Sequence, residues 1–321
     1  MTARFALVIL GAAFAASTAV HGQTFPTKPI RMVVGFPPGG TTDIMARAVA
    51  AKLTDRVGQQ VIVDNRPGAS GIIGADIVAK SRPDGYTVLM SSSTHGTNLN
   101  LYSKLPYDTV KDFAPIALVA TTPYVLVVHP TMPVKSVSEL ITYVKARPGK
   151  FSFCSSSNGT AQHLAGELLK RSAGLDMQHV PYKGTGALLP DLLSGRINLA
   201  FENVTVMTPH IKSGALRPLA VTSAKRSAVM PELVTMIEAG VPNFEVIGWF
   251  GLFAAGQTPA QTVNTLNSQI AATMKEPEVR DRIVAQGGEP LAGPPADLRD
   301  LLAREISVWG KVIREAGIRA D

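Results

Sequence analysis

The chain has 321 residues, enough for two domains of ordinary size, and its 45% hydrophobic and 17% charged content is that of a globular protein. A formal net charge of +7 favours acidic ligands by long-range attraction, but no dense basic block interleaved with aromatics is present, which argues against nucleic acid. Cys154 is the only cysteine, so an intrachain disulfide is excluded.

Residues 1–22 read as a secretory signal: Arg4 near the start, an apolar run over 5–16, then small residues. That run is too short to span a bilayer, and no later segment reaches the roughly 18 uninterrupted apolar residues that spanning requires. Cleavage is expected after about residue 19–22, at Ala19 or Gly22, and no cysteine nearby offers a lipoprotein anchor. The mature chain would keep 30 basic against 24 acidic residues. An exported protein, soluble in the periplasm, is expected.

The stretch over 30–57 organises the rest. Residues 30–36 form a short apolar run suited to a strand buried on both faces. Pro37-Pro38-Gly39-Gly40 then stops any regular element. Thr41, Thr42 or Asp43 can cap a helix whose apolar stripe is Met45, Val49, Leu53 and Val57. A strand feeding a Gly-rich loop and a helix N-terminus leaves backbone N–H groups free for an anion, although an ordinary βα turn has the same composition. The loop fits neither G-x-x-x-x-G-K-[ST] nor G-x-G-x-x-G, so nucleotide phosphate is not the favoured anion.

Further along, a strand is expected at 60–64 and a helix within 69–80, after glycines 68, 71 and 74. The strand over 86–91 runs into a polar stretch, Ser91 to Asn98, whose Ser93, Thr94, His95 and Thr97 either serve a ligand or satisfy a turn. Two apolar strands, 116–120 and 124–129, are interrupted by Thr121-Thr122-Pro123, taken as the passage between two lobes. A helix over 137–144 and a strand over 151–154 lead into Ser155-Ser156-Ser157-Asn158-Gly159-Thr160 and a helix over 161–172 carrying His163. This repeats the opening unit of strand, Gly/Ser loop and helix N-terminus. Two such units, one in each half, suggest two lobes presenting anion-ready loops to one cleft.

Strands are expected at 177–182, ending at Lys183-Gly184, at 197–201, ending at Glu202-Asn203, and at 216–222 and 244–254. A helix over 187–194 and three C-terminal helices complete the pattern. Alternating β and α argue an α/β class with mostly parallel sheets. The signatures H-E-x-x-H, C-x-x-C, G-x-S-x-G and the EF-hand loop do not occur, so no metal, no cofactor and no catalytic residue is expected.

The motifs GFPPGGTTD, VDNRPGASGIIGADIVAKSRPDGYTVL, HVPYKGTGALLPDLLSGRINLAFEN, LRPLAVTSAKRS and GWFGLFAAG resemble, in order and over essentially the whole mature chain, the Bug proteins. These are the substrate-binding components of tripartite tricarboxylate transporters. The resemblance implies a type II periplasmic binding protein: lobe 1 from 23–122 plus 230–321, lobe 2 from 123–229, and a ligand cleft between. It implies a small carboxylate ligand, a dicarboxylate or an aromatic or amino-acid carboxylate, and permease subunits as membrane partners of a monomer.

It also gives Phe36, Pro38, Gly39, Gly40 and Thr42 the role of holding one carboxylate. Ser155, Ser157, Asn158, Gly159, Thr160 and His163, with Tyr182, Lys183 and Gly184, would face them. The acidic position, commonly Asp in such proteins, is Glu202 here, beside Asn203. A periplasmic sensor or an organic-acid enzyme stand as rivals to transport.

Overall fold

The computed structural model describes residues 25–227, 229–315 and 317–319. The expected signal segment, 1–22, lies outside the described residues.

In chain order the elements are β1 Ile30–Val34, α1 Thr41–Val57, β2 Val61–Asn65, a 3-10 turn Ala69–Gly71, α2 Ile72–Ala79, β3 Thr87–Ser92 and α3 Thr94–Leu101. Then come β4 Phe113–Val128, α4 Val137–Lys145, β5 Phe151–Ser155, α5 Ala161–Ala173, β6 Met177–Pro181, α6 Thr185–Leu193, β7 Leu199–Asn203 and α7 Val204–Lys212. The chain closes with β8 Arg217–Val221, β9 Ile247–Ala255, α8 Ala260–Thr273, α9 Pro277–Ala285, β10 Glu289–Pro290 and α10 Pro295–Glu315.

Strand order is β2-β1-β3-β9-β4-β7-β5-β6, with β8 and β10 also pairing β4. The 16-residue β4 is shared by two sheets. Its first part runs antiparallel to β9 as far as Pro123, opposite Ile247, and its last part, Tyr124–Val128, runs antiparallel to β7. The break expected at Thr121-Thr122-Pro123 is therefore a change of partner within one strand. Proline is tolerated because it stands at the last rung of the β9 ladder. Tyr124 N–H next turns to Thr222 Oγ1, 2.9 Å away.

Each sheet is covered on both faces, which is why its central strands are almost wholly apolar. Met45, Val49 and Leu53 of α1 pack with α8 and α9 on one face of the first sheet. Ile72 and Val78 of α2 with Leu298 and Leu302 of α10 pack on the other. In the second sheet, α4 and α5 cover one face and α6 and α7 the opposite one. Helix α10 reaches both cores, since Trp309 and Ile313 at its far end sit among the residues of the second. Met236, Val241, Phe244 and Val246 join that second core too, and Met236 N–H and Val246 N–H bond Val221 and Thr222 carbonyls.

The sheets are not mostly parallel as expected: β4 runs antiparallel to β7, β8, β9 and β10, and β3 antiparallel to β9, because the two long crossing strands run against their neighbours. Two helices also depart from expectation. The polar stretch 94–98 is not a loop but the start of α3. Its composition hides the helix, because Thr, His, Gly and Asn give no apolar stripe. It is held instead by α10, which packs across it beside Gly96, where a Cβ would lie 3.1 Å from Leu302 Cδ1. Helix α7 was not expected either; its β-branched residues and internal Pro209 weaken the helical signal.

The crossing of β1 by α2 depends on glycine. A Cβ on Gly74 would lie 2.8 Å from Gly35 Cα, and one on Gly35 would lie 2.7 Å from Gly71 Cα. Valine in place of Gly74 is expected to destabilise the fold by about 2 kcal/mol or more, because the obstacle is backbone and cannot rotate away. Urea unfolding checks this, and an unchanged midpoint would mean the close approach is dispensable.

Candidate functional site

The two sheets meet across a cleft of about 330 Å³. On the first side it is lined by Phe36 to Thr42 and by Ser92, Ser93 and Thr94. The second side contributes Ser156, Thr160, Gln162, Lys183 to Ala187, Leu189, Asn203 and Val206. Tyr124 and Phe250, from the two long strands β4 and β9, also line it.

The first wall is the end of β1, the Pro-Pro-Gly-Gly loop and the start of α1. Gly40 is the N-cap and has no side chain to occupy the free N–H groups of the first turn. Gly39 adopts φ 81°, a left-handed conformation that glycine alone takes without cost. Asp43 does not line the cleft. Its carboxylate accepts from Gly39 N–H at 2.9 Å, Arg47 Nε at 2.9 Å and Asn65 Nδ2 at 2.9 Å. Burial pushes its acidity one way, but these bonds outweigh burial and hold the carboxyl below its ordinary value. Asp43 thus braces the loop from behind.

On the second side the open helix end is α6, not α5. Thr160 caps α5, its Oγ1 accepting from His163 N–H at 3.4 Å. Helix α6 begins at Gly184 (φ 98°) with no side-chain cap, and Thr185, Gly186 and Ala187 of its first turn face the cleft beside Lys183. Two uncapped helix N-termini, α1 and α6, therefore share one cavity. Each presents the positive end of a helix dipole.

Of the residues singled out in the sequence, Phe36, Pro38, Gly39, Gly40, Thr42, Ser93, Thr94, Thr160, Lys183, Gly184 and Asn203 line the cleft. The others sit elsewhere, each for a visible reason. Ser91 pairs with Gly251 inside the first sheet. His95 is buried in an aromatic nest, its ring centroid 4.5 Å from Phe113 and 4.7 Å from Phe253, and burial lowers its pKa to about 4.

Thr97, Ser157, Asn158 and Gly159 join the two sides directly. Thr97 Oγ1 donates to Gly159 O at 2.7 Å, and Ser70 Oγ lies 2.8 Å from Ser157 Oγ and 3.0 Å from Asn158 O. Ser155 Oγ bonds Ser157 O and His179 Nε2 at 2.9 and 2.7 Å. His163 accepts from Gly159 N–H at 3.0 Å and stacks on His179 at 3.7 Å, and burial lowers its pKa to about 4. Tyr182 donates to Asp191 at 2.6 Å.

Glu202 is also behind the wall. It is 0% exposed and accepts from Asn203 N–H at 3.1 Å, from Thr185 Oγ1 at 3.2 Å and from Gln162 Nε2 at 3.4 Å. Burial dominates these bonds and raises its pKa to about 7.

Gln162, Thr185, Gly186, Tyr124 and Phe250 were not singled out in the sequence. Thr185-Gly186 continues the Lys183-Gly184 corner and was legible as part of it. Tyr124 and Phe250 had no local signal, since only strand pairing, Tyr124 with Asn203 of β7 and Phe250 with Ala120 of β4, brings them to the cleft.

The tripartite tricarboxylate transporter family receptor model matches residues 45–318. Protein BugT of Bordetella pertussis is 40% identical over 302 residues, covering 94% of this chain and 93% of BugT. Among solved structures, the R. palustris protein Rpa4515 with adipate has 40% identity and a TM-score of 0.87, covering 92% of this chain and 99% of that one. Periplasmic binding protein BugD has 34% identity and a TM-score of 0.85, with coverage of 92% and 99%. With its shared strand and the cleft between two sheets, the chain belongs to the tripartite tricarboxylate transporter family receptors and has their two-lobed type II binding-protein fold.

Proposed function

We propose that the protein is a periplasmic receptor that captures a small dicarboxylate and delivers it to a tripartite tricarboxylate-type membrane transporter. The observation that carries this reading is the pair of uncapped helix N-termini, α1 and α6, on opposite sides of one cavity. One carboxylate meets the loop from Pro37 to Thr42, and the other meets the first turn of α6 with Lys183 beside it. The adipate bound by the related R. palustris protein supports a ligand with an anionic group at each end.

The family and the apolar N-terminal run support export to the periplasm. No helix among the described residues is long and apolar enough to cross a membrane. The relatives are receptors, and a receptor needs no acid–base machinery, in keeping with a non-enzymatic role. The expected lobe boundary near residue 123, within β4, is kept in this reading, while the bonds and packing of 230–246 with the second sheet favour a second crossing ahead of β9, near residue 246, in place of the expected 229/230.

The test is isothermal titration of dicarboxylates of four to six carbons and of their monoamides and diamides. The diacid of the best length should bind at least tenfold tighter than its diamide, with the monoamide between. Equal affinity for diacid and diamide would sink the two-anion reading.

A further inference from the structure

A ligand held between two sheets enters when they part, so whatever joins the sheets beside the cleft governs its capture. On the first side the chain makes an unusual turn after β2. Gly68, Ala69, Ser70 and Gly71 all have positive φ, at 143°, 45°, 52° and 92°. Glycine takes such a conformation freely, whereas the Cβ of alanine or serine is strained there. What serine adds over glycine is a hydroxyl, and this one reaches the other side of the cleft. Ser70 Oγ donates to Asn158 O at 3.0 Å, which uses its single proton. It therefore accepts from Ser157 Oγ at 2.8 Å, and it also accepts from Tyr102 Oη at 3.4 Å. Asn98 Nδ2, donating to Ser70 O at 3.1 Å, fixes the turn from its own side.

The opposing segment is fixed as well. Ser155 Oγ and Thr160 Oγ1 both donate to Ser157 O at 2.9 Å, and His163 Nδ1 accepts from Gly159 N–H at 3.0 Å. Gly159 O takes a second bond from across the cleft, from Thr97 Oγ1 at 2.7 Å. Ser156 and Thr160, flanking this segment, line the cavity, and Gly71 lies against the cavity residues Phe36 and Thr94. Ser70, Thr97 and residues 157–159 do not line it. The contact is at the cavity's edge and does not touch what the cavity holds.

We infer that Ser70, with Thr97 beside it, is a positioning residue that latches the two lobes and so sets affinity for every ligand alike. This rests on the receptor reading above and adds what holds the cleft shut. Hydrogen bonds suit the task because they are short-ranged, and a separation of about 1 Å ends them. The apolar contacts of Leu101, Trp309 and Ile313 with the second core persist through a slide of that size. A small rotation thus frees the latch while the helices stay packed. The apparent dissociation constant is the intrinsic one divided by the closed fraction, so losing the latch weakens binding without altering selectivity.

The experiment titrates the full-length mature chain with succinate, glutarate and adipate at pH 7.5. Ser70→Gly removes the hydroxyl and suits the positive φ. Every diacid that binds wild type should bind this variant roughly three- to tenfold more weakly, by one common factor. Its ligand-free melting temperature should not fall, which separates a lost latch from a damaged fold. Thr97→Val keeps the shape, removes the second bond and should also weaken all three by a common factor. Another measurement needs no ligand. The double variant Ser70→Cys, Ser157→Cys can be oxidised to join the two sides, since native Cys154 is buried. Small-angle scattering should give the oxidised, ligand-free protein a smaller radius of gyration than the reduced one.

Undiminished affinity in Ser70→Gly, or a loss matched by a lower melting temperature, would overturn the inference and leave the dicarboxylate reading intact. So would a changed rank order of the diacids, or equal radii for oxidised and reduced protein. Failure of all three diacids to bind wild type would overturn the dicarboxylate reading instead, and the scattering pair would still decide the latch.

Discussion

Valine in place of Gly40 is expected to lower carboxylate affinity at least tenfold, about 1.4 kcal/mol, while the protein stays folded. Gly40 is the N-cap of α1 and lines the cleft. Its φ of −75° and ψ of 162° lie in the extended region that a β-branched residue readily adopts. A Cβ there would have only Pro37 O within 4 Å, at 3.5 Å, an ordinary contact. Nothing in the protein opposes the substitution, so the added methyl groups extend into the space where an anion reaches the first-turn N–H groups. Gly39 is a poorer choice, because its positive φ would add backbone strain to the loss of binding. Titration calorimetry with a wild-type ligand, alongside circular dichroism, separates the two effects. Undiminished affinity in a folded Gly40→Val protein would remove this loop from the site.

The second large effect concerns stability in the ligand-free protein. The Glu202 carboxyl titrates at about 7 in the fold rather than at 4.5, because burial penalises its charged form more than three hydrogen bonds favour it. Between those values the folded protein holds a proton that the unfolded chain has lost. Stability from this group is thus complete below about pH 4.5 and declines as pH rises through 7. Above pH 7 the ionised, unpaired carboxylate costs roughly 3 kcal/mol. Glu202→Gln keeps the shape and removes the charge, so it should raise stability by roughly 1–3 kcal/mol at pH 8 and change it little at pH 4. Denaturant unfolding at both pH values checks the sign. A variant equally destabilised at both would mean that the hydrogen bonds, not the buried charge, govern this position.

Both predictions turn on positions the sequence brings forward, but it describes them unequally. Gly40 was legible because its surroundings are local. An apolar strand, a Pro-Gly break and a helix with an i,i+4 stripe lie in one continuous run, and each is set by backbone sterics and side-chain period. The same holds for the alternation of strands and helices, and for the Lys183-Gly184 corner. Two strand–loop–helix units, one per half, were enough to place two lobes around a cleft.

Glu202 was visible only as an acid at a strand end; whether it faced the ligand was not. A period of two says that neighbouring side chains leave opposite faces of a strand, but not which layer covers each face. The first turns of α5 and α6, which cover opposite faces of the sheet, both reach the end of this strand, and their Gln162 and Thr185 stand between the carboxylate and the cavity. Hydroxyl-rich runs were ambiguous for a related reason. Ser155 to Thr160 and Ser91 to Thr97 have the composition of a ligand loop, yet much of their bonding capacity goes to each other, to His163 and His179, and across to Ser70. Helix α3 and the cleft residues Tyr124 and Phe250 carried no signal at all. They owe their places to α10, to the pairing of Tyr124 with β7 and to that of Phe250 with β4, contacts between segments far apart in the chain. The sequence by itself determined most of the elements, the family and the anion-ready loop, because these rest on motifs and interactions within a few residues. The tertiary structure alone decided which polar groups remain free for a ligand, because a buried donor or acceptor takes whatever partner the packing brings within reach.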